Sequence, residues 1–271
     1  MGGAGTQAGA GFSAPTSRAR CGTQVNVLAC RLTAWYKSGE GARKYVLTDG
    51  VEMGAGDAAQ ETAQEKDVKK LALGVLASGR GTNLQAVIDA CREGRIRAEV
   101  RVVVSDVEDA LALDRARRAG IATVYLRPGK FKTKLEPEIE LAYANCLKER
   151  GVELVLLAGF MRILHKEFLS QFPGRVMNIH PALLPAFPGL NAQKQALERG
   201  VRFTGCTVHF VDESVDGGPI ILQAVVPVEQ EDSIESLSER ILREEHRIYC
   251  EAISLFGEGR LKIEGRRVRV S

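Results

Sequence analysis

Metal-ligand spacing is the first thing this sequence lacks. Its six cysteines, Cys21, Cys30, Cys91, Cys146, Cys206 and Cys250, are scattered, with no CxxC pair and no histidine at ligand distance. That argues against the common zinc frameworks and against a disulfide scaffold, since both need close, regular spacings. Cys91 and Cys146 fall on the apolar stripes of helical segments and read as small core hydrophobes, which fits a reducing compartment. No stretch approaches the roughly 18 apolar residues of a membrane span. The net charge is only +3, too small for a nucleic-acid footprint, which concentrates basic residues on one face. There is no GxSxG elbow, and no cysteine stands at a strand end beside a base. Nucleophilic catalysis by the protein itself is therefore not expected.

Acidic residues are missing from the start of the chain, where the first is Glu40. A leader that is acid-poor, Arg-bearing and rich in Gly, Ala, Ser and Thr has the composition of an organellar transit peptide, plastid or mitochondrial. The opening Met1-Gly2-Gly3-Ala4-Gly5-Thr6 also fits the loose myristoylation pattern, but no polybasic second signal accompanies it. Residues 49–70 are polar and show no hydrophobic period, as in a linker. The expected division is a leader and linker over 1–69 and a catalytic domain over 70–271.

From Leu71 onward strand and helix signals alternate. Apolar runs at 71–77, 102–105, 121–126, 152–157 and 176–179 read as buried parallel strands, with two later strands at 207–211 and 219–228. Leu84, Val87, Ile88 and Cys91 mark an amphipathic helix, and 111–118, a segment from about Pro137 to Arg150, and 233–255 mark three more. This order predicts an α/β fold: an open, mostly parallel, Rossmann-like sheet with helices on both faces. Ligands of such sheets bind beyond the carboxyl ends of the strands.

Two strand ends carry chemistry. The first runs into Ser78-Gly79-Arg80-Gly81-Thr82-Asn83 and straight into a helix. Glycines allow a tight backbone approach, and a helix start offers free N–H groups to an anion. Thr82 or Asn83 would also serve to cap that helix. The loop is no Walker motif, since Arg80-Gly81 stands where Lys and Ser or Thr belong. It is no dinucleotide fingerprint either, because Leu84 replaces the third glycine. A monophosphate suits it better.

The second end is Met177-Asn178-Ile179-His180-Pro181, where period two points Asn178 and His180 to one face. The prolines Pro181, Pro185 and Pro188 stiffen the following loop. Further on, Asp216-Gly217-Gly218-Pro219 makes a turn between two strands. Asp216 serves that turn, or it orients His180 and holds its cation; spacing alone does not bring them together. An amide to bind an oxyanion, an imidazole to move a proton and a carboxylate to hold it amount to a polar group-transfer site.

These motifs also carry a family resemblance. Residues 78–85, 157–164, 178–189 and 216–219 resemble, in order and separation, the glycinamide ribonucleotide formyltransferases, over about 71–264. The resemblance implies transfer of formyl from 10-formyltetrahydrofolate, a cosubstrate rather than a tightly bound cofactor, to the amine of glycinamide ribonucleotide in purine synthesis. It implies catalysis by Asn178, His180 and Asp216, and phosphate binding by Gly81, Thr82 and Asn83. Glu245 is the implied ribose contact. Lys134, Met161, Arg162, Ile163, Leu164, Asp212 and Asp216 are the implied folate contacts. Lys134 departs from the Arg often found there, keeping the charge and losing the planar fork. No metal, membrane or nucleic-acid partner is implied, and the chain is expected as a monomer or homodimer.

Related formyl-folate enzymes supply the rivals. A formyltetrahydrofolate deformylase would bring a regulatory domain that 1–69 does not resemble. A methionyl-tRNA formyltransferase would need a further nucleic-acid-binding domain after the last helix. A non-catalytic nucleotide sensor would keep the phosphate loop without needing Asn178, His180 and Asp216 together.

Overall fold

The computed structural model describes residues 69–271. The leader, the myristoylation pattern and nearly all of the linker read from the sequence thus lie outside the described residues. In chain order the elements are β1 (Leu71–Leu76), α1 (Thr82–Arg92), β2 (Ala98–Ser105), α2 (Leu111–Arg118) and β3 (Ala122–Tyr125). Then come α3 (Pro137–Lys148), β4 (Leu154–Leu157), α4 (Lys166–Leu169), β5 (Val176–His180) and α5 (Ala192–Glu198). The last five are β6 (Phe203–Phe210), β7 (Ile220–Pro227), α6 (Ile234–Gly257), β8 (Leu261–Glu264) and β9 (Arg267–Val270). Two short helices, α4 and α5, and the β8–β9 hairpin are additions to the sequence expectation. They are too brief, or too little patterned, to leave a periodic signal.

All the strands form one sheet in the order β3-β2-β1-β4-β5-β6-β7-β9-β8. The β3-to-β5 portion is parallel throughout, while β6 runs antiparallel to both β5 and β7. The expected open and mostly parallel sheet is therefore present. Strand order reverses between β1 and β4, and a crevice opens beyond the carboxyl ends of strands at such a point.

Period two sorts the strand residues into two cores. Leu73, Val75 and Ala77 join Leu84, Ile88, Leu113, Leu237, Ile241 and Ile248 on the face of α1, α2 and α6. Leu76, Val102 and Val104 join Tyr143, Leu147 and Phe168 on the face of α3 and α4. Among the described residues the four cysteines are free, with Cys206 and Cys250 buried and Cys91 and Cys146 half-buried against these cores. Burial pushes the Cys91 thiol up to about 11 and that of Cys206 up to about 12, as suits packing rather than chemistry. No helix among the described residues is long and apolar enough to cross a membrane.

Helix α6 is the long spine of the first core. Ser233 and Ser236 close a reciprocal capping box at its start. Deep inside, the Tyr249 hydroxyl reaches the carbonyls of Leu157 at 3.1 Å and Met177 at 3.2 Å, bolting the helix across the ends of β4 and β5.

Gly74, in mid-strand, has a packing role. A Cβ there would sit 2.7 Å from Leu147 Cδ2 and 2.9 Å from both Val152 methyls. Glycine lets α3 and the chain entering β4 close onto β1. We expect Gly74→Ala to lower unfolding free energy by about 1–3 kcal/mol, measured by urea denaturation, with the far-ultraviolet spectrum unchanged.

Candidate active site

Strand β5 places Asn178 and His180 on the face away from α6, as period two requires. Its antiparallel neighbour sets His209 opposite Asn178 and Thr207 opposite His180. Among the described residues no helix covers this part of the face. The proline-stiffened loop at 181–189 covers it instead, held where the Thr207 hydroxyl donates to the Ala182 carbonyl at 2.7 Å and accepts from the Leu184 N–H at 3.1 Å.

Asp216 comes into this face from the turn between β6 and β7. Its Oδ2 accepts from the Gly189 N–H at 2.8 Å and lies 3.4 Å from His180 Nδ1. Its Oδ1 accepts from Asn178 Nδ2 at 3.4 Å and lies 3.8 Å from His209 Nε2. The meeting that spacing left open thus occurs. The turn needs its glycines, since a Cβ on Gly218 would lie 1.8 Å from the Phe210 carbonyl oxygen. Asp216 itself takes a left-handed φ of 51°, a conformation that costs a residue with a side chain roughly 1 kcal/mol or more.

Burial works against an ionised Asp216. The hydrogen bond with His209, the Gly189 N–H and the two histidine charges outweigh it and hold the carboxyl below its usual range. His180 is buried, with Nε2 2.8 Å from the Phe187 carbonyl oxygen and Nδ1 facing Asp216. Both ring nitrogens face acceptors, a setting that the doubly protonated ring fills completely.

His209 is the site residue that sequence reading missed. Its Nδ1 lies 2.9 Å from the Phe210 carbonyl and its Nε2 3.1 Å from Asn178 Nδ2. A carbonyl only accepts, so Nδ1 carries a proton, while Nε2 stands between the Asn178 amide and Asp216 Oδ1, 3.8 Å away. Asp216, which only accepts, fixes the amide orientation of Asn178 with its nitrogen toward the carboxylate. Period two through Thr207 and His209, opposite Asn178 and His180, was the available signal.

The loop after β1 completes the crevice. Gly81 caps α1 in the left-handed region at φ 70°, and no side chain caps the helix. The expected capping by Thr82 or Asn83 is therefore not what these residues do. The first helical bond runs from Gln85 N to the Gly81 carbonyl, so the N–H groups of Thr82, Asn83 and Leu84 stand ahead of the ladder. A Cβ on Gly81 would meet Ala112 Cα at 2.8 Å, so α2 leaves room only for glycine. Asn83 reaches across to α6, where its Nδ2 donates to Glu245 Oε2 at 2.8 Å. Burial raises the Glu245 carboxyl, and the Asn83 bond and the Arg80 charge offset this only in part.

The strip after β4 is tied to the same loop, with Met161 N donating to Ser78 Oγ at 2.9 Å. Met161 and Ile163 are exposed, while Leu164 is buried. Lys134 lies beside the strip, bridged through its backbone to Ile163, with Nζ 4.6 Å above the Phe131 ring. Asp212 turns its carboxylate onto its own loop, accepting from Ser214 N at 2.9 Å. The Arg162 side chain points inward to Asp106, so it is Met161 and Ile163 that present side chains to solvent. Among the described residues no cluster of His, Cys, Asp and Glu could hold a metal ion.

Comparisons with known proteins bear on the family of the chain. Residues 70–253 match the family described as formyl transferase. The phosphoribosylglycinamide formyltransferase of Escherichia coli K12 is 48% identical over 189 residues, which span 70% of this chain and 88% of that protein. The crystal structure of glycinamide ribonucleotide transformylase 1 from Symbiobacterium toebii superposes with a TM-score of 0.71 at 58% identity, over 74% of this chain and 94% of that one. A formyltetrahydrofolate deformylase from Pseudomonas syringae pv. tomato superposes at 0.68 but with 25% identity, over 75% of this chain and 66% of that one.

The raised Glu245 carboxyl has a consequence for stability. Its folded form binds the proton more tightly than the unfolded chain, so its contribution is favourable at acid pH and is lost as pH rises through the folded value. Glu245→Gln should remove that loss. Urea midpoints followed across pH should show the variant gaining on the wild type toward neutrality.

Proposed function

The chain belongs to the formyl transferase family, and from that premise we propose that it transfers a formyl group from 10-formyltetrahydrofolate to the amine of glycinamide ribonucleotide, a step of purine biosynthesis. The observation that carries this reading is the convergence of Asn178, His180 and Asp216 at the end of β5. The open helix start at Gly81, Thr82 and Asn83 faces the same crevice and suits the phosphate of the ribonucleotide. Glu245 is set to accept from the ribose hydroxyls. Met161, Ile163, Leu164, Lys134 and the backbone of the 212–216 turn serve the folate, with Arg162 contributing through its main chain. The relatives with much higher identity carry ribonucleotide formyltransferase names, which favours an amine acceptor over the water of a deformylase.

The chemistry needs no protein nucleophile. The neutral amine attacks the formyl carbon, forming a new C–N bond and a tetrahedral oxyanion. Asn178 donates to that oxygen, which requires one amide N–H to exchange its longer contact, the 3.4 Å bond to Asp216. The bond from carbon to the folate nitrogen then breaks, that nitrogen takes a proton, and the attacking amine gives one up. His180, held by Asp216, supports the charge and moves the proton.

We read residues 1–69 as a transit leader and linker, with a plastid as the destination and a mitochondrion as the alternative. A reporter fused to 1–69 that stayed diffuse in the cytosol would count against it.

Formyl transfer is followed by the absorbance change of the folate, with both substrates present and then with the ribonucleotide omitted. Transfer only with both present is expected, and equal turnover without the ribonucleotide would show a hydrolase. Asn178→Ala should lower kcat by about 10²–10³ with little change in ribonucleotide KM. Asp216→Asn should lower kcat by a comparable factor, roughly 10² or more, while leaving the phosphate loop and its affinity intact.

A further inference from the structure

Arg162 is spoken for within the protein. Its Nε donates to Asp106 Oδ2 at 2.6 Å, and its terminal nitrogen donates to the Phe131 carbonyl at 2.7 Å and to the Lys132 carbonyl. The two charged side chains are 14% and 2% exposed. One planar guanidinium thus joins the loop after β2 to the loop at 127–136, which a point-like ammonium has no geometry to do. The other Asp106 oxygen is buried without a partner, so this carboxylate is directed at Arg162 alone. A buried pair of this kind is weak evidence for stability. Its value lies in the position it fixes.

The loop it fixes has few other ties. Past Leu126 these are Leu135, buried in the second core, the backbone bridge of Lys134 with Ile163, and Ile163 N donating to the Thr133 carbonyl at 2.9 Å. The loop exposes Arg127, Lys130, Lys132 and Lys134 within eight positions. Among the described residues only Lys130 has a carboxylate near, Glu136 at 3.8 Å. Lys134 is bridged to the 161–164 strip and three more cations stand on the same loop, where a donor ending in the carboxylates of glutamate would find them.

We propose that Asp106 is a positioning residue for the formyl donor: through Arg162 it holds the basic loop at 127–136 against the strip that binds the donor's anionic end. The inference rests on the reading of that strip as the folate site.

Steady-state kinetics and trypsin digestion of the full chain test it. Asp106→Ala should raise KM for formyltetrahydrofolate by roughly tenfold. Its kcat and ribonucleotide KM should stay within about twofold, a split that general damage to the fold would not produce. Trypsin should cut after Lys130 and Lys132 faster than in the wild type. Asp106→Asn keeps an acceptor oxygen and should recover most of the donor affinity. Should the alanine variant fail to fold, Asp106→Ser, which also removes the carboxylate, should show the same donor-specific rise. An unchanged donor KM, or kcat and both KM values shifting together, overturns the proposal while leaving the transferase intact. A wild-type chain that transfers no formyl overturns the folate reading and this inference with it.

Discussion

One carboxylate holds the reactive end of this molecule together. Asp216 touches Asn178 and His180 on β5, His209 on β6 and the Gly189 N–H at the end of the proline loop. Three segments of the chain are registered on two oxygen atoms. Burial and a left-handed backbone both oppose this placement, and donors from all three segments offset them. With the carboxylate gone, the loop over the site loses its tie at Gly189, and both polar groups on β5 lose their common neighbour.

The sheet explains why such a hub forms here. Parallel strands β1, β4 and β5 deliver their carboxyl ends to one edge, as in other doubly wound folds. Strand β6 then runs the opposite way and brings His209 and Thr207 directly across from Asn178 and His180. An antiparallel partner offers side chains in direct opposition, close enough to hydrogen bond. Strand β6 ends beside Met177, and the turn that leaves it folds Asp216 back over the face of β5 to reach Asn178 and His180.

Much of this was legible before any coordinates. Long apolar runs and amphipathic periods declare themselves, so the strands and the four principal helices were readable. The pair on β5 was readable for the same reason, since two polar residues in period two at a strand end are out of place in a core. What escaped depended on distance in space. His209 looked like one more polar residue in a strand until its register with Asn178 was known. Asn83 and Glu245 are 162 residues apart, and Asp106 resembled an ordinary loop acid. Arg162 was expected as a folate contact, yet its guanidinium faces inward, because the direction of a side chain on an irregular loop follows from partners that a linear pattern does not contain.

The hydroxyl of Tyr249 has a mechanical meaning beyond packing. It stands one helical turn past Glu245 on α6 and rests on the carbonyls that immediately precede Asn178 on β5 and the strip after β4. A single rigid rod therefore carries Glu245, the partner of Asn83, and is pinned to the strand that bears Asn178 and to its neighbour. The distance from the loop after β1 to the polar cluster on β5 is gauged by that rod, so the two ends of the crevice keep one measure between them.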